Sequence, residues 1–325
     1  MQSSIRAQGL RPWGISDMSR FSRALLVGLV AVMVADGAAF AQEQTLRPAT
    51  GTQVVMLGTG TPLADPERSG PAVAIVVNET AYLVDCGPGV VRRAAAAEKN
   101  GIKALAVKNL KIVFITHLHS DHTLGYPDLI FSPWVLERAE PLEAYGPRGL
   151  RHMTEYIEKA WGEDIRVRLH EHANATGHKV NVHEIQPGVV YRDDNVTVTA
   201  FPVKHGTWKY AFGYRFDTKD RRIVISGDTA PTEEVVKACD GCDVLLHEVY
   251  NPKRKKNVES AERQAYFKSF HTSPEELGDI ATRARPKLLV LYHQVMGEVP
   301  EEDLVEQVKK SYAGKFVSAK DLGVY

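Results

Sequence analysis

Between an apolar, strand-like run, Ile112-Val113-Phe114-Ile115, and a helix-like stretch from Thr123 to Leu136 stand Thr116-His117-Leu118-His119-Ser120-Asp121-His122. Three imidazoles and a carboxylate thus fall within six positions, where a strand gives way to a loop and then a helix. Alternate side chains of an extended strand end share a face, so His117 and His119 project together. Asp121 and His122, past the bend, can turn toward a second point nearby. One segment can therefore offer two ligand pairs to two adjacent cations. Neutral imidazole with carboxylate is the donor set expected of zinc that keeps an open, reactive position. The competing reading is a polar loop with chance histidines, which needs three of the chain's 12 His to meet in one short window.

Four ligands cannot complete two metal spheres, since a catalytic zinc takes about three protein ligands and a water. The remainder should be single His or Asp residues at other strand ends. His205 follows Thr199 to Lys204, Asp228 follows Ile223 to Gly227, His247 and Glu248 follow Val244-Leu245-Leu246, and His293 follows Leu288 to Tyr292. A lone strand-end His is usually structural and a lone Gly-Asp is usually a turn. Four such ends in one chain with the histidine-rich segment point jointly to a metal site.

The surrounding pattern predicts strands at 53–57, 73–77, 81–84, 142–145, 180–185, 196–203, 210–216, 222–226, 243–246 and 287–291. Helices are expected at 90–99, at 123–136, after Gly149 with Met153, Ile157 and Trp161 on one stripe, at 231–238, and at 300–312. Another helix should be capped by Thr272 or Ser273, with Pro274 at its first position and Glu275-Glu276 in its first turn. Short strands separated by helices fit an α/β chain with two mixed β-sheets packed on each other and helices on the outer faces, a four-layered αββα sandwich. Residues 51–325 read as one domain after a short tail, 42–50.

The first 41 residues read as a secretory signal peptide. Arg20 and Arg23 precede an apolar run from Ala24 to about Val34, and Gly37-Ala38-Ala39-Phe40-Ala41 is an Ala-x-Ala-like site. Met18 is an alternative start, and an uncleaved anchor is the competing reading, though the run is short for a spanning helix. The mature protein is then expected in the periplasm or outside the cell, without stable membrane association. Lys+Arg and Asp+Glu both number 40, so no overall field points to a polyanionic partner. Of the three cysteines, Cys86 reads as a core filler. Cys239 and Cys242 read as small semi-buried residues near a helix end, with a local disulfide as the alternative.

Taken together, Gly58-Thr59-Gly60-Thr61-Pro62, Asp85-Cys86-Gly87-Pro88-Gly89, His117-x-His119-x-Asp121-His122, Tyr145-Gly146-Pro147, His205, Ser226-Gly227-Asp228-Thr229, His247-Glu248, His271-Thr272 and His293 resemble the metallo-β-lactamase superfamily. The likeness is to its ribonuclease Z and arylsulfatase-like branch and covers nearly all of residues 52–295. It implies His117, His119 and His205 as ligands of one zinc, Asp121, His122 and His293 as ligands of the other, and Asp228 as the bridging carboxylate. It implies Asp85 as a buried carboxylate orienting a ligating imidazole, and His247-Glu248 and His271 as aids to proton transfer near the leaving group. Manganese or iron could replace zinc, and a homodimer is an expectation of the resemblance alone.

The resemblance further implies two zinc ions about 3.5–4 Å apart sharing a hydroxide that attacks phosphorus or sulfur. Asp121 would accept the nucleophile's proton while remaining a ligand, and His271, poised by Glu248, would protonate the departing alkoxide. The long arm with which ribonuclease Z grips tRNA lies between the segments matching His205 and Asp228. Here 22 residues separate those positions, enough for a β-hairpin. The expected substrate is therefore a small ester, a phosphodiester or aryl sulfate, and not tRNA. Arg148 and Lys209 are candidate anion contacts, and the helix near Thr123 could contribute its backbone dipole. Lys253-Arg254-Lys255-Lys256 reads as a solvated loop or as an anion-steering patch at the site mouth. The alternatives are a lactonase or β-lactamase-type hydrolase of cyclic acyl compounds, and a non-catalytic metal-binding protein.

Overall fold

Strand β1 (Gln53–Gly58), β2 (Ala72–Val77) and β3 (Thr80–Val84) open the chain as an antiparallel meander. The computed structural model describes residues 51–255 and 260–325, so the signal-peptide reading, the tail and Lys256 lie outside the described residues. Helix α1 (Val90–Lys99) leads to β4 (Ile112–Phe114), which lies parallel to β3. Helices α2 (Ser120–Thr123) and α3 (Tyr126–Val135) then return the chain to β5 (Leu142–Gly146). Helices α4 (Leu150–Ala160) and α5 (Gly162–His170) return it to β6 (Val180–Glu184). These steps are also parallel, and the first sheet has the order β1-β2-β3-β4-β5-β6.

The second sheet begins with β7 (Gly188–Arg192), β8 (Val196–Pro202), β9 (Phe212–Thr218) and β10 (Arg222–Ile225), each antiparallel to the one before. Helix α6 (Glu233–Cys239), β11 (Val244–Tyr250), α7 (Ala261–Phe270), α8 (Pro274–Ala284), β12 (Leu288–Val295), α9 (Glu301–Ser311) and β13 (Phe316–Ser318) complete it. The strands from β10 to β13 are mutually parallel, giving the order β13-β12-β11-β10-β9-β8-β7.

Strand alternation sorts the side chains into three apolar layers. Val244 and Leu246 of β11 join Phe114, Tyr214 and Ile75 between the sheets, whereas Leu245 and Val249 face Leu277, Ile280 and Leu304 of the outer helices. On the other flank, the α1 stripe Val90, Val91, Ala94 and Ala97 packs on Leu83 and Val113. Each large aliphatic side chain removed from water contributes about 1.5–3 kcal/mol, and strands covered on both faces need no polar alternation. All seven residues of β11 are buried, as that argument requires. The four-layered α/β architecture expected from the pattern is therefore the observed one.

Several local expectations are corrected. The helix expected over 123–136 is two helices, because Gly125 donates its N–H to the Cys86 carbonyl at 2.9 Å and not to the preceding turn. A Cβ at Gly125 would lie 2.4 Å from the Gly87 carbonyl oxygen, so this contact admits only glycine. β11 and β12 run past their expected ends, which puts His247, Glu248 and His293 inside strands. α5, α7, β7 and β13 are additional. α5 buries none of its residues and α7 only Phe267 and Phe270, so neither leaves a periodic apolar stripe to read. Cys239 and Cys242 are both fully buried and form a disulfide, their Cα atoms 4.7 Å apart. Left-handed Asp240 and Gly241 turn the chain back beyond α6 and bring the two together. Ser273 caps α8 with a capping box to Glu276, and Cys86 is a buried free thiol. Among the described residues no helix is long and apolar enough to cross a membrane.

Candidate metal centre

The ends of β4, β8 and β10, together with β12, meet at one edge of the sandwich and deliver the histidines and acids to it. The turn after β3 pins the histidine-rich segment from behind: Cys86 donates to the His122 carbonyl at 2.9 Å, and Asp85 takes a left-handed backbone (φ 60°). His293 reaches the centre through a β-bulge. Tyr292 pairs with Glu248 and Gln294 with Val249, so His293 is the extra residue, and its φ is 45°.

Two groups of donors result. In the first, His117 Nε2 and His205 Nε2 lie 3.0 and 3.1 Å from His119 Nδ1, and Asp228 Oδ2 is 3.9 Å from His205 Nε2. In the second, His293 Nε2 is 3.1 Å from Asp121 Oδ2, and His122 Nε2 is 3.6 Å from the same oxygen. Asp228 stands between them, with Oδ1 3.4 Å from His122 Nε2 and Oδ2 3.4 Å from His293 Nε2. The donor atoms within each group lie within 4.8 Å of one another.

The outer nitrogens decide which atoms face inward. His205 Nδ1 donates to the Phe270 carbonyl at 2.8 Å, and His122 Nδ1 donates to Asp85 Oδ2 at 2.8 Å. Asp85 also accepts from Thr116 N and Thr116 Oγ1, which directs that hydroxyl's proton to the carboxylate and leaves its oxygen to accept from His117 Nδ1 at 3.0 Å. All three rings therefore turn an Nε2 lone pair inward when neutral. His122 Nε2 and Asp228 Oδ1 are buried without a hydrogen-bond partner, a cost a cation at the inward-facing donors would offset. The donor set fits two divalent cations.

Charge is divided unevenly. Burial holds His117 well below the usual histidine range and lowers His205 to about 4, so the first group presents neutral imidazoles. Burial also opposes charge on His122, but the carboxylates of Asp228, Asp85 and Asp121 outweigh it and raise that imidazole well above its usual value. For Asp228, burial favours the neutral acid, and His293 and His122 outweigh it, holding the carboxyl well below its usual range.

Beside the second group, His271 Nδ1 lies 3.3 Å from Glu248 Oε2. The other oxygen of Glu248 accepts from Thr229 N and Thr272 N, which fixes the carboxylate. Burial would lower His271, but Glu248, with Asp228 and Asp121, raises it. His271, Asp228 and His293 form a third cluster of donors.

The remaining sequence candidates lie elsewhere. His247 alternates with Glu248 along β11 and shares the helix-facing side with Leu245 and Val249; its Nδ1 donates to its neighbour's carbonyl, 2.7 Å away. Arg148 and Lys209 sit beside Tyr210, whose hydroxyl they acidify, and neither lines the cleft over the centre. Of the basic run, Arg254 is buried with its guanidinium 3.4 Å over the Phe267 ring, and Arg254 and Lys255 both line the cleft. Arg254 therefore departs from the solvated-loop reading, whereas Lys253 and Lys255 are exposed as that reading expects.

Sequence reasoning misses Thr116, Phe270 and Trp208. Thr116 adjoins the motif, and its hydroxyl at a strand end is the signal that could have marked it. Phe270 fills the space a side chain at left-handed Gly206 would take, 2.0 Å from that Cβ position. Trp208, three residues past His205, donates from Nε1 to His119 Nε2 at 2.7 Å.

Residues 80–294 match the family model described as a beta-lactamase superfamily domain. A protein of Mycobacterium bovis (strain BCG / Pasteur 1173P2) named Ribonuclease Z is 32% identical over 279 residues, covering 83% of this chain and 96% of that protein. Among solved structures, human tRNase Z, short form, is 25% identical with a TM-score of 0.59, covering 84% of this chain and 98% of that one. The metallo-beta-lactamase fold protein YhfI from Bacillus subtilis superposes with a TM-score of 0.62 at 17% identity, covering 84% and 99%, a likeness of fold.

Proposed function

The chain belongs to the metallo-β-lactamase superfamily as a hydrolase related to ribonuclease Z, and from that premise we propose that it is an exported binuclear metallohydrolase of small phosphodiesters. The observation that carries the reading is the pair of adjacent donor groups, His117-His119-His205 and Asp121-His122-His293, with Asp228 between them. In this reading Asp228 would serve both metals, with zinc the default. When bound, the two cations supply Lewis acidity, bringing the pKa of water toward neutrality and offsetting charge that develops on phosphoryl oxygens. The chain's own residues do the rest. Asp85 orients His122 and Thr116 orients His117. Asp121, whose carboxyl is held below its usual range (its burial outweighed by His122 and His293), accepts the nucleophile's proton. His271, kept protonated by Glu248, delivers a proton to the leaving oxygen. Aryl sulfates are the second ester class. The Cys239–Cys242 disulfide supports export, since such bonds persist in oxidising compartments.

A second reading, RNA cleavage, is favoured by the relatives' name. The segment between His205 and Asp228 holds little besides the β9–β10 hairpin, so the tRNA-gripping arm is absent. The chain nevertheless covers 96% of the Mycobacterium relative over 279 aligned positions, which leaves no room for a long arm there either. Lack of an arm therefore does not by itself separate the two readings. The deciding experiment offers metal-loaded protein bis(p-nitrophenyl) phosphate, p-nitrophenyl sulfate, a homoserine lactone, nitrocefin and a pre-tRNA. Diester turnover is expected to dominate; turnover of pre-tRNA, nitrocefin or the lactone alone would replace the proposal. Mass spectrometry of the mature N-terminus tests export, with a start near Gln42 expected.

A further inference from the structure

The cleft over the centre has a polar floor and two apolar walls. Asp121, Asp228, His271 and His293 line the floor of a cavity of about 460 Å³. One wall is Thr61-Pro62-Leu63, from the loop after β1; the other is the α7 face carrying Arg263, Tyr266 and Phe267. Leu63 is 61% and Tyr266 40% exposed, a large apolar surface facing a charged floor. Neither side chain is needed for the core, which holds α7 through Phe267 and Phe270 alone.

The placement of Tyr266 is nonetheless fixed. Its ring stacks on Phe270 at 4.3 Å and 24°. Phe270 in turn stacks on His119 at 6.4 Å, and its carbonyl accepts from His205. The Tyr266 ring is thus held by the residue that seats two candidate metal ligands. The Arg263 guanidinium lies 5.3 Å from the Tyr266 ring centre and 5.0 Å from that of Phe267, adding a cation at the cleft mouth. Planar apolar surface beside positive charge, over a floor whose donors would hold two cations, complements a single anionic centre bearing flat arms. A monoester, whose single arm is its leaving group, would bring no retained arm to the walls.

We infer that Leu63 and Tyr266 clasp a flat, apolar arm that stays on phosphorus, with Arg263 at its anionic side, so that the natural ester is a monoanionic phosphodiester whose retained group is aromatic or nucleobase-like. This rests on the phosphodiesterase reading above and names the substrate class for the same centre.

The test compares bis(p-nitrophenyl) phosphate with methyl p-nitrophenyl phosphate. Both release p-nitrophenolate, and only the arm that stays on phosphorus differs. Tyr266→Ala and Leu63→Ala should each raise KM for the bis-aryl ester about tenfold, the scale of one lost aromatic contact, and raise KM for the methyl ester much less. Tyr266→Phe should restore the parent value, and calorimetric binding of diphenyl phosphate should weaken by the same factor in Tyr266→Ala. Equal changes for both esters, or none in either, would overturn the inference and leave the phosphodiesterase standing. If metal-loaded parent hydrolyses neither ester, the phosphodiesterase reading falls and the inference falls with it.

Discussion

The indole N–H of Trp208 and Nε2 of His119 are hydrogen-bonded at 2.7 Å, on the side of the imidazole turned away from His117 and His205. An indole nitrogen can only donate, so Nε2 of a neutral ring must accept, and the ring's proton then sits on Nδ1. Nδ1 is the atom that faces the other two imidazoles. A cation needs the Nδ1 lone pair, which moves the proton to Nε2 and sets it against the indole N–H. Metal loading and this contact exclude each other. Adding zinc to metal-free protein should therefore change tryptophan emission in the parent and not in Trp208→Phe. The variant should also bind zinc several-fold tighter, the worth of one neutral hydrogen bond, ~0.5–1.5 kcal/mol. Identical emission and affinity in the two proteins would disprove the coupling.

Metal binding should release protons. Burial opposes charge on His122, yet Asp228, Asp85 and Asp121 raise its pKa well above 6.5, so the metal-free ring is protonated at neutral pH. Because the folded value is raised, the stability it contributes is fully present below about 6.5 and is lost as pH rises through the raised value. A cation must displace that proton, so affinity should rise with pH up to the same point. Calorimetry in buffers of different ionisation enthalpy should show about one proton or more released per chain. Asp85→Asn, which removes one of the three carboxylates, should release fewer.

His271 and Glu248 should matter in proportion to how poor the leaving group is. His271→Ala is expected to retain metal and to lose about 10²–10⁴ in kcat with an alkyl leaving group, and far less with p-nitrophenolate, which departs without a proton. Asp228→Ala should lose metal as well as turnover. Equal losses for both leaving groups in His271→Ala would show that the ring acts otherwise than as an acid.

The sign of the pH effect follows from the same pair. Burial lowers His271 and Glu248 more than offsets it, so a protonated ring persists above the usual histidine range. Activity that needs this proton falls as pH rises through the raised value. Glu248→Gln should move that alkaline limb to lower pH in a kcat profile taken with an alkyl ester. An unmoved limb would assign it to another group.

The disulfide spans two intervening residues, so its loop is short and its contribution modest. Chain-entropy reasoning for a loop of about four residues gives about 2 kcal/mol. Paired substitution of Cys239 and Cys242 by alanine should lower Tm by several degrees, read by calorimetry, without changing metal content.

What was legible in the sequence and what was not divides along physical lines. His117 to His122, His205, Asp228 and His293 are legible because ligand chemistry is written in residue type, and apolar runs announce the strands that converge. Their convergence in two donor groups is a matter of geometry the pattern implies. The route of His293 is not legible, because a bulge lives in one backbone angle. Nor can the sequence tell His247 from Glu248: both follow an apolar run, and only the true length of β11 shows that alternation sends them to opposite faces. Arg148 and Lys209 were candidates by charge alone, and charge does not say which cleft a side chain lines. α7 escapes notice because a helix with two buried residues has no periodic stripe.

The candidate ligands are shared between the sheets, and that division sets an order of assembly. His117 to His122 follow β4 of the first sheet, while His205, Asp228 and His293 belong to the second. Neither half alone holds a complete set, so a cation can be captured only after the two sheets have docked. Once seated, it fastens them together like a rivet at one edge of a seam. A chain delivered unfolded to an oxidising space would then mature in sequence: fold, dock, and only afterwards load. Chelation of the finished protein should loosen that edge first, well before the opposite end of the sandwich gives way.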